Sequence, residues 1–317
     1  MPHRLLVSAR HGVGNVRRWV RVSKAVRERD RSPQLKAEVD AVRSGLTLPQ
    51  LEGSRKGGLW AVAMVKNEVD IIESTLRHLA DQGIDELLVA DNGSTDGTLE
   101  LLRELSRQLP LHVALDSEPR YFQGPKMTAL AQAARRAGAS WVVPFDADEF
   151  WFAASTTVGE YLRRCDAGVV QARMFNVYPQ ADCTKWRLDP QPMDPPKVAF
   201  RAHRLARLSI GNHWVLHPGR PAPGLFIAHY PWRSADQLKR KTHQGAVALT
   251  EEQRAQGFGF HWTAGAAESD QWRHDAWDAI QHGRVFPGLH WTPSGTPLWD
   301  VDPRQHRVWP GPVEGSN

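Results

Sequence analysis

Asp146, Asp148 and Glu149 lie in the stretch PFDADEF, directly after the apolar run Trp141 to Phe145. A strand that ends in Asp-x-Asp projects two carboxylates from one edge of a sheet, because side chains at i and i+2 share a face. Hard divalent cations such as Mg²⁺ or Mn²⁺ take carboxylate oxygens completed by phosphate oxygens. A cation held that way and bridged to a diphosphate stabilises the charge that builds on a departing nucleotide. A second polar loop, Asp91-Asn92-Gly93-Ser94-Thr95-Asp96-Gly97-Thr98, closes the apolar run ELLVA. Asp91 fits an acceptor for the N3–H of a uracil or thymine. Ser94, Thr95 and Asp96 read as caps and turn residues for the helix that follows. A third loop, Lys66-Asn67-Glu68, follows LWAVAMV. Lys126, just after Gly124-Pro125, is a cation with reach toward a diphosphate or base at the same edge; a solvated lysine is the alternative.

The elements between these loops alternate. Leu59 to Val65 is a continuous apolar run, the pattern of a strand buried on both faces. Ile71, Ile72, Leu76 and Leu79 then give helical spacing up to Gly83, with Glu68 and Asp70 in the first turn, where a helix start favours acids. Glu86 to Ala90 reads as a second strand, Leu99 to Leu109 as a helix stopped by Pro110, Leu111 to Leu115 as a third strand, Gly124 to Gly138 as an Ala-rich helix, and Trp141 to Phe145 as a fourth strand. Strands alternating with helices imply α/β architecture and a parallel sheet with right-handed crossovers. Ligands of such sheets bind beyond the carboxyl ends of the strands, where all three polar loops fall. Farther on, 168–176 and 197–217 read as strands, Pro and Gly become dense at 179–196 and 218–224, and helical spacing returns at 234–249 and 268–282.

Here the motifs resemble a known family. AVAMVKNEVDIIESTLRHLADQGIDELLVADNGSTDGT together with PFDADEF is similar to the nucleotide-binding half of glycosyltransferase family 2-like enzymes of the GT-A fold. KVAFR (197–201), His213-Trp214 and IAHYPWRSADQLKRK (227–241) resemble the family 92-related branch. The resemblance covers about 59–249. It implies a GT-A, Rossmann-like, doubly wound mixed sheet with an N-terminal helical extension and an irregular Trp-rich C-terminal region. It implies that Asp91 contacts the base, that Lys66, Asn67 and Glu68 lie beside the nucleotide, and that Asp146 and Asp148 hold the metal and diphosphate. A histidine often completes the metal site in GT-A enzymes, and His229 fits that place. Neutral imidazole is a good Mn²⁺ ligand, and the run Phe226-Ile227-Ala228 would end at the same edge. The expected activity is transfer of a sugar from a UDP- or dTDP-type donor to a glycan, glycolipid or other hydroxyl acceptor, dependent on Mn²⁺ or Mg²⁺ and inverting.

The departure from the family pattern concerns the base that deprotonates the acceptor hydroxyl. Inverting family 2 enzymes use an Asp, often in a Glu-Asp pair, and no such pair occurs between 150 and 317. Glu149, His213 and Asp236 are the candidates. A nucleotidyltransferase or a catalytically inactive nucleotide-sugar-binding module shares the fold. The first would carry a Gly-rich loop with Arg and Lys after the first strand, and Lys66-Asn67-Glu68 is not one. The second would be expected to lose its acidic ligands.

Composition bounds the rest. The 317 residues carry a net charge of +5, with a pI near 9.4. Residues 1–58 hold thirteen Lys and Arg against five acids, an excess of eight, which leaves the remainder at −3. The basic character therefore belongs to a helical extension, with helices read at about 14–29 and 34–44, and not to the chemistry-bearing region. That extension suits peripheral contact with the inner membrane face. No stacking ribbon with interleaved Lys or Arg is present, so nucleic acid is not the expected partner. Two cysteines make no disulfide framework, no apolar run reaches about 18 residues, and Leu5-Leu6-Val7 is too short for a signal peptide core. A cytoplasmic protein is expected. Nine of the thirteen Trp lie between Trp186 and Trp309. Three of them, Trp262, Trp272 and Trp291, are candidates to stack on an acceptor sugar. Three parts are expected: a basic extension (1–58), a GT-A domain (59–250) and an acceptor-side or lid region (251–317).

Overall fold

The structure is a computed structural model that describes residues 2–51, 54–181, 184–255, 257, 259 and 265–313, with the backbone alone described over 2–15. Two helices come first, α1 (Pro2–Asp30) and α2 (Pro33–Gly45), longer than their apolar spacing suggests. Ser32 separates them because its side chain accepts from Leu35 N and caps α2. A two-residue strand, β1 (Leu46–Thr47), then joins the sheet edge.

The alternating region folds as its periodicity indicates: β2 (Leu59–Val65), α3 (Ile72–Asp81), β3 (Glu86–Asp91), α4 (Thr98–Leu105), β4 (Leu111–Asp116), α5 (Gln123–Arg136) and β5 (Trp141–Pro144). The neighbours β4, β3, β2 and β5 are parallel. Residues of β2 alternate between two cores. Leu59, Ala61, Ala63 and Val65 face Ile72, Leu76 and Leu79 of α3, whereas Trp60 and Val62 face Met127, Leu130 and Ala134 of α5. Helices on both faces make the sheet doubly wound.

The remaining strands are β6 (Glu149–Ala153), β7 (Val169–Pro179), β8 (Trp186–Arg201), β9 (Arg207–Leu208), β10 (Val215–Leu216) and β11 (Pro221–His229), with α6 (Val158–Arg164) after β6. The nine-stranded sheet runs β1-β4-β3-β2-β5-β8-β7-β11-β6 and is mixed beyond β5: β8 is antiparallel to β5 and β7, β11 is parallel to β7, and β6 is antiparallel to β11. Three expectations change here. The Pro-dense 179–196 is largely strand, because residues 194–196 fall in a register shift between the pairs Ala172–Lys197 and Met174–Met193, where a missing N–H breaks no ladder bond. The strand read at 197–217 ends at Arg201, and beyond it only β9 and β10 pair with each other. Glu149 to Ala153, which has no strand signal apart from its apolar run, adds an edge strand through pairing with β11.

The chain closes with α7 (Ala235–Ala248), α8 (Glu251–Ala255) and α9 (Asp270–Gln281). The C-terminal segment packs on the sheet: Trp309 is buried and stacks on Phe226 at 5.2 Å between centroids.

Candidate functional site

The carboxyl ends of β2 and β3 are tied together by their own loops. Asn67 sits at φ +57°; its N–H donates to Ser94 Oγ (3.0 Å), and its Oδ1 accepts from Thr95 N (2.8 Å). Glu68 N donates to Thr98 Oγ1 at 2.9 Å. Asp91, 2% exposed, uses Oδ2 to accept from Gly93 N and Ser94 N, both at 3.1 Å. Its Oδ1 is buried and makes no hydrogen bond. A buried carboxylate oxygen without a donor is costly, so an incoming N–H is strongly favoured there.

Lys126 reaches the carboxyl end of β4, but its charge is taken up there by Asp116 and it is closed to a ligand. It is 1% exposed, pairs with Asp116 at 2.7 Å and donates to Glu118 O at 2.6 Å. Its helix faces the sheet with that position, and an ammonium turned inward must take a buried acid. Lys66 meets the site only through its carbonyl, which accepts from Gln244 Nε2 at 3.0 Å.

The Asp-x-Asp carboxylates diverge to separate partners. Asp146 Oδ2 pairs with Lys197 Nζ at 2.7 Å, and its Oδ1 accepts from Gln123 Nε2 (3.3 Å) and Asn212 Nδ2 (3.2 Å). Its side chain stays 32% exposed and open to a ligand. Asp148 Oδ2 meets Lys241 Nζ at 2.5 Å, with Arg233 Nη1 and His229 Nε2 each at 3.6 Å. Burial would raise the Asp148 carboxyl, but Lys241, with Arg233 beside it, holds it well below the usual carboxylate range. The pairing of β6 with β11 puts His229 opposite Glu149, and that of β11 with β7 puts it beside Asn176. His229 Nδ1 lies 2.8 Å from Asn176 Oδ1. Burial lowers the His229 pKa, so the ring is neutral with its proton on Nδ1, and Nε2 turns a lone pair toward Asp148.

The expected set Asp146, Asp148 and His229 therefore does not assemble as three ligands. Among the described residues no group of three or more His, Cys, Asp or Glu side chains is placed to hold a metal. Asp146 leaves the set because Lys197 holds it. What remains fits a cation of another kind: two lone pairs, Asp148 Oδ2 and His229 Nε2, face each other at 3.6 Å. Mg²⁺-type sites commonly use one or two protein ligands and take the rest from phosphate and water. The competitor is Lys241. Unit charges 4 Å apart interact by about 4 kcal/mol at an effective dielectric of about 20, and a dication doubles that. A divalent ion and the Lys241 ammonium cannot share one oxygen cheaply.

Of the base candidates, Glu149 is excluded by position. It is 1% exposed, paired with Lys197 at 2.8 Å, and accepts from Asp146 N at 3.1 Å. Burial pushes its carboxyl up to about 8 against the pull of Lys197. Glu149 positions the motif and cannot reach an acceptor. His213 Nδ1 lies 3.2 Å from Pro196 O, and burial with nearby Lys197 pushes its pKa down to about 4. Asp236 is exposed in the first turn of α7.

The residues that sequence reasoning left without a role lie mostly in the segment 230–244, which straddles the edge. Arg233 donates to Asp70 through Nε (2.7 Å) and Nη2 (3.1 Å) and to Glu68 through Nη2 (2.5 Å). Gln244 Oε1 accepts from Asn67 Nδ2 at 2.7 Å. Glu68 is consumed by Arg233 and Asn67 by loop bonds, so both shape the edge. Arg233 lies just before the Ser234 cap of α7 and Lys241 lies within that helix, so no helical period links the two. Lys197, held in an apolar strand, is a buried-charge signal. Trp291 packs edge-on to His229 (5.2 Å between centroids), and Lys241 lies 5.1 Å from the Trp291 ring and 5.7 Å from the Trp232 ring. Trp272 packs edge-on to Phe286, in the same apolar cluster as Trp232 and Trp291. Trp262 lies outside the described residues.

Residues 61–198 match the family model of glycosyl transferase family 2. The match spans β2 through most of β8, and includes Asp91, Asp146, Asp148 and Lys197. No curated protein matches the chain. Among solved structures, S. aureus TarS 1-349 is similar at a TM-score of 0.39 and 15% identity over 70% of this chain and 73% of that one. The same protein in complex with UDP-GlcNAc gives 0.40 and 15%, over 68% and 72%. Mannosyltransferase PcManGT from Pyrobaculum calidifontis, in complex with GDP-Man and Mn²⁺, gives 0.40 and 16%, over 85% and 87%. The doubly wound mixed sheet and the family match place the fold in the GT-A, Rossmann-like class.

Proposed function

We propose that the protein transfers a sugar from a nucleoside-diphosphate donor of the UDP or dTDP type to a hydroxyl of a glycan or glycolipid acceptor, with inversion. The observation that carries this is the buried, unpartnered Asp91 Oδ1 on the same sheet edge as Asp146 and Asp148. Uracil and thymine present an N3–H to that oxygen; the edge carboxylates lie where the diphosphate and sugar would follow. Asp146, held by Lys197 and still open, is suited to donor hydroxyls. A divalent cation, Mn²⁺ or Mg²⁺, held by Asp148 and His229 would supply charge to the leaving diphosphate. Asn67 and Glu68 keep the loops in place, and Glu149 keeps Asp146 in place. Asp236, exposed at the start of α7, is the base candidate left with a free path to an acceptor, and Trp291 beside His229 offers the ring for acceptor stacking. The motif forms Lys-Asn-Glu and His-Tyr…Arg-Ser fit a family 92-related branch.

The extension supports a membrane-facing acceptor. Val16, Trp19 and Val20 of α1 are exposed large apolar side chains, flanked by exposed Arg17, Arg21 and Arg27, the composition of a helix that rests on anionic head groups. No helix among the described residues is long and apolar enough to cross a membrane.

Calorimetric titration with UDP, dTDP and GDP in Mn²⁺ tests the donor assignment. The wild type is expected to prefer UDP or dTDP, and Asp91→Ala to weaken that binding about tenfold or more, the loss of one charge-assisted hydrogen bond. Equal affinity for GDP, or an Asp91→Ala variant that binds UDP unchanged, would refute the assignment.

A further inference from the structure

Two cations approach Asp148, and they differ in freedom. Arg233 is 7% exposed and pinned by three hydrogen bonds to Asp70 and Glu68. Lys241 is 18% exposed, and Asp148 Oδ2 at 2.5 Å is its short contact. Its other neighbours are Pro231 O at 3.4 Å and the faces of Trp232 and Trp291, which suit an ammonium without fixing its direction. Lys241 therefore sits on the oxygen that His229 Nε2 faces, and it is the one of the two cations able to leave.

We propose that Lys241 is a diphosphate ligand that exchanges with the divalent cation: it holds Asp148 in the nucleotide-free protein and moves onto the donor's diphosphate when the cation takes its place between Asp148 and His229. This rests on the nucleotide-sugar reading above. The charges explain why the exchange needs both partners. Apart from the buried Glu149, the acids Asp146, Asp148, Glu68 and Asp70 are matched by Lys197, Arg233, Arg240 and Lys241, so the edge has no spare negative charge for a dication that arrives by itself. A dication alone would meet Lys241 at the same oxygen and be repelled. A diphosphate alone would find Lys241 already held by Asp148. Together they give Lys241 an anionic destination and leave Asp148 to the metal, so the two ligands bind with reciprocal coupling. Lysine suits this role better than arginine, as a compact charge on a flexible stem.

The test is Mn²⁺ binding to the full chain, followed through the paramagnetic resonance signal of free Mn²⁺, with and without UDP. UDP is expected to tighten Mn²⁺ binding at least tenfold in the wild type. Lys241→Gln is expected to bind Mn²⁺ alone at least tenfold more tightly than the wild type and to lose most of the coupling to UDP. Lys241→Arg, which keeps the charge, is expected to bind Mn²⁺ alone as weakly as the wild type. If UDP binds with Mn²⁺ but the wild type shows no coupling, or Lys241→Gln leaves Mn²⁺ affinity unchanged, the exchange is refuted and the donor reading stands. If neither UDP nor dTDP nor GDP binds with Mn²⁺, the donor reading fails and the exchange fails with it.

Discussion

The block β4-β3-β2-β5 and the block β8-β7-β11-β6 belong to one sheet but handle charge differently. In the first, the strands are apolar, the loops satisfy most of their polar groups with one another or with the segment 230–244 and leave Asp91 Oδ1 as the exception, and the buried lysine, Lys126, meets Asp116 with both side chains 1% exposed. In the second, Asp146, Asp148 and Glu149 lie against Lys197, Arg233, Lys241 and His229, and the cluster stays open at Asp146 and Lys241. Buried ion pairs add little net stability over apolar packing. The second block's concentration of charge is therefore better explained by a ligand than by folding, whereas Lys126–Asp116 is a closed pair that locks α5 to β4.

The comparison sharpens first at the base. Asp236 stands outside the charge cluster, so Asp236→Asn is expected to lower kcat for transfer by about 10²–10⁴ with donor affinity unchanged. Steady-state kinetics beside UDP titration checks this; a kcat within a factor of two of the wild type would return the role to His213.

The two buried lysines test the contrast directly. Lys126→Met strands Asp116, and Lys197→Met strands Asp146 and Glu149; each is expected to cost about 3–5 kcal/mol in urea unfolding, the usual loss when one member of a buried pair is removed. Their effects on UDP affinity should part, small for Lys126→Met and large for Lys197→Met. Equal effects on binding would erase the distinction between the blocks.

The smallest effects are in pH. Burial lowers His78 to about 4 beside Trp151 O, so its contribution is present above the usual histidine range and lost as pH falls from about 6.5 toward 4. Glu149 is raised to about 8, so the proton it keeps favours the fold below the ordinary carboxylate range, and this is lost as pH rises toward 8. Melting temperature is expected to fall on both sides of a middle range. His78→Gln should flatten the acid limb and Glu149→Gln the alkaline one; unchanged limbs in both variants would contradict these assignments.

The order of residues 59–145 is enough to specify the four parallel strands, their helices and the edge on which Asp91, Asp146 and Asp148 stand. Continuous apolar runs, helical spacing and crossover handedness are local or topological rules, and in β2–β5 nothing opposes them. The strand-like run Phe226-Ile227-Ala228 likewise flags His229. Which side chains face each other depends on the assembled sheet. Lys126 turned inward because Asp116, at the end of β4, lies under α5, and Glu149 lost the role of base because β11 pairs over it. Asp146 went to Lys197, 51 residues away, and Asp148 to Lys241, 93 residues away. Charge pairing at such separations has no period to read. It is set by the register of β6, β7 and β11 and by where α7 crosses the edge, and those depend on packing that forms only when the whole sheet is assembled.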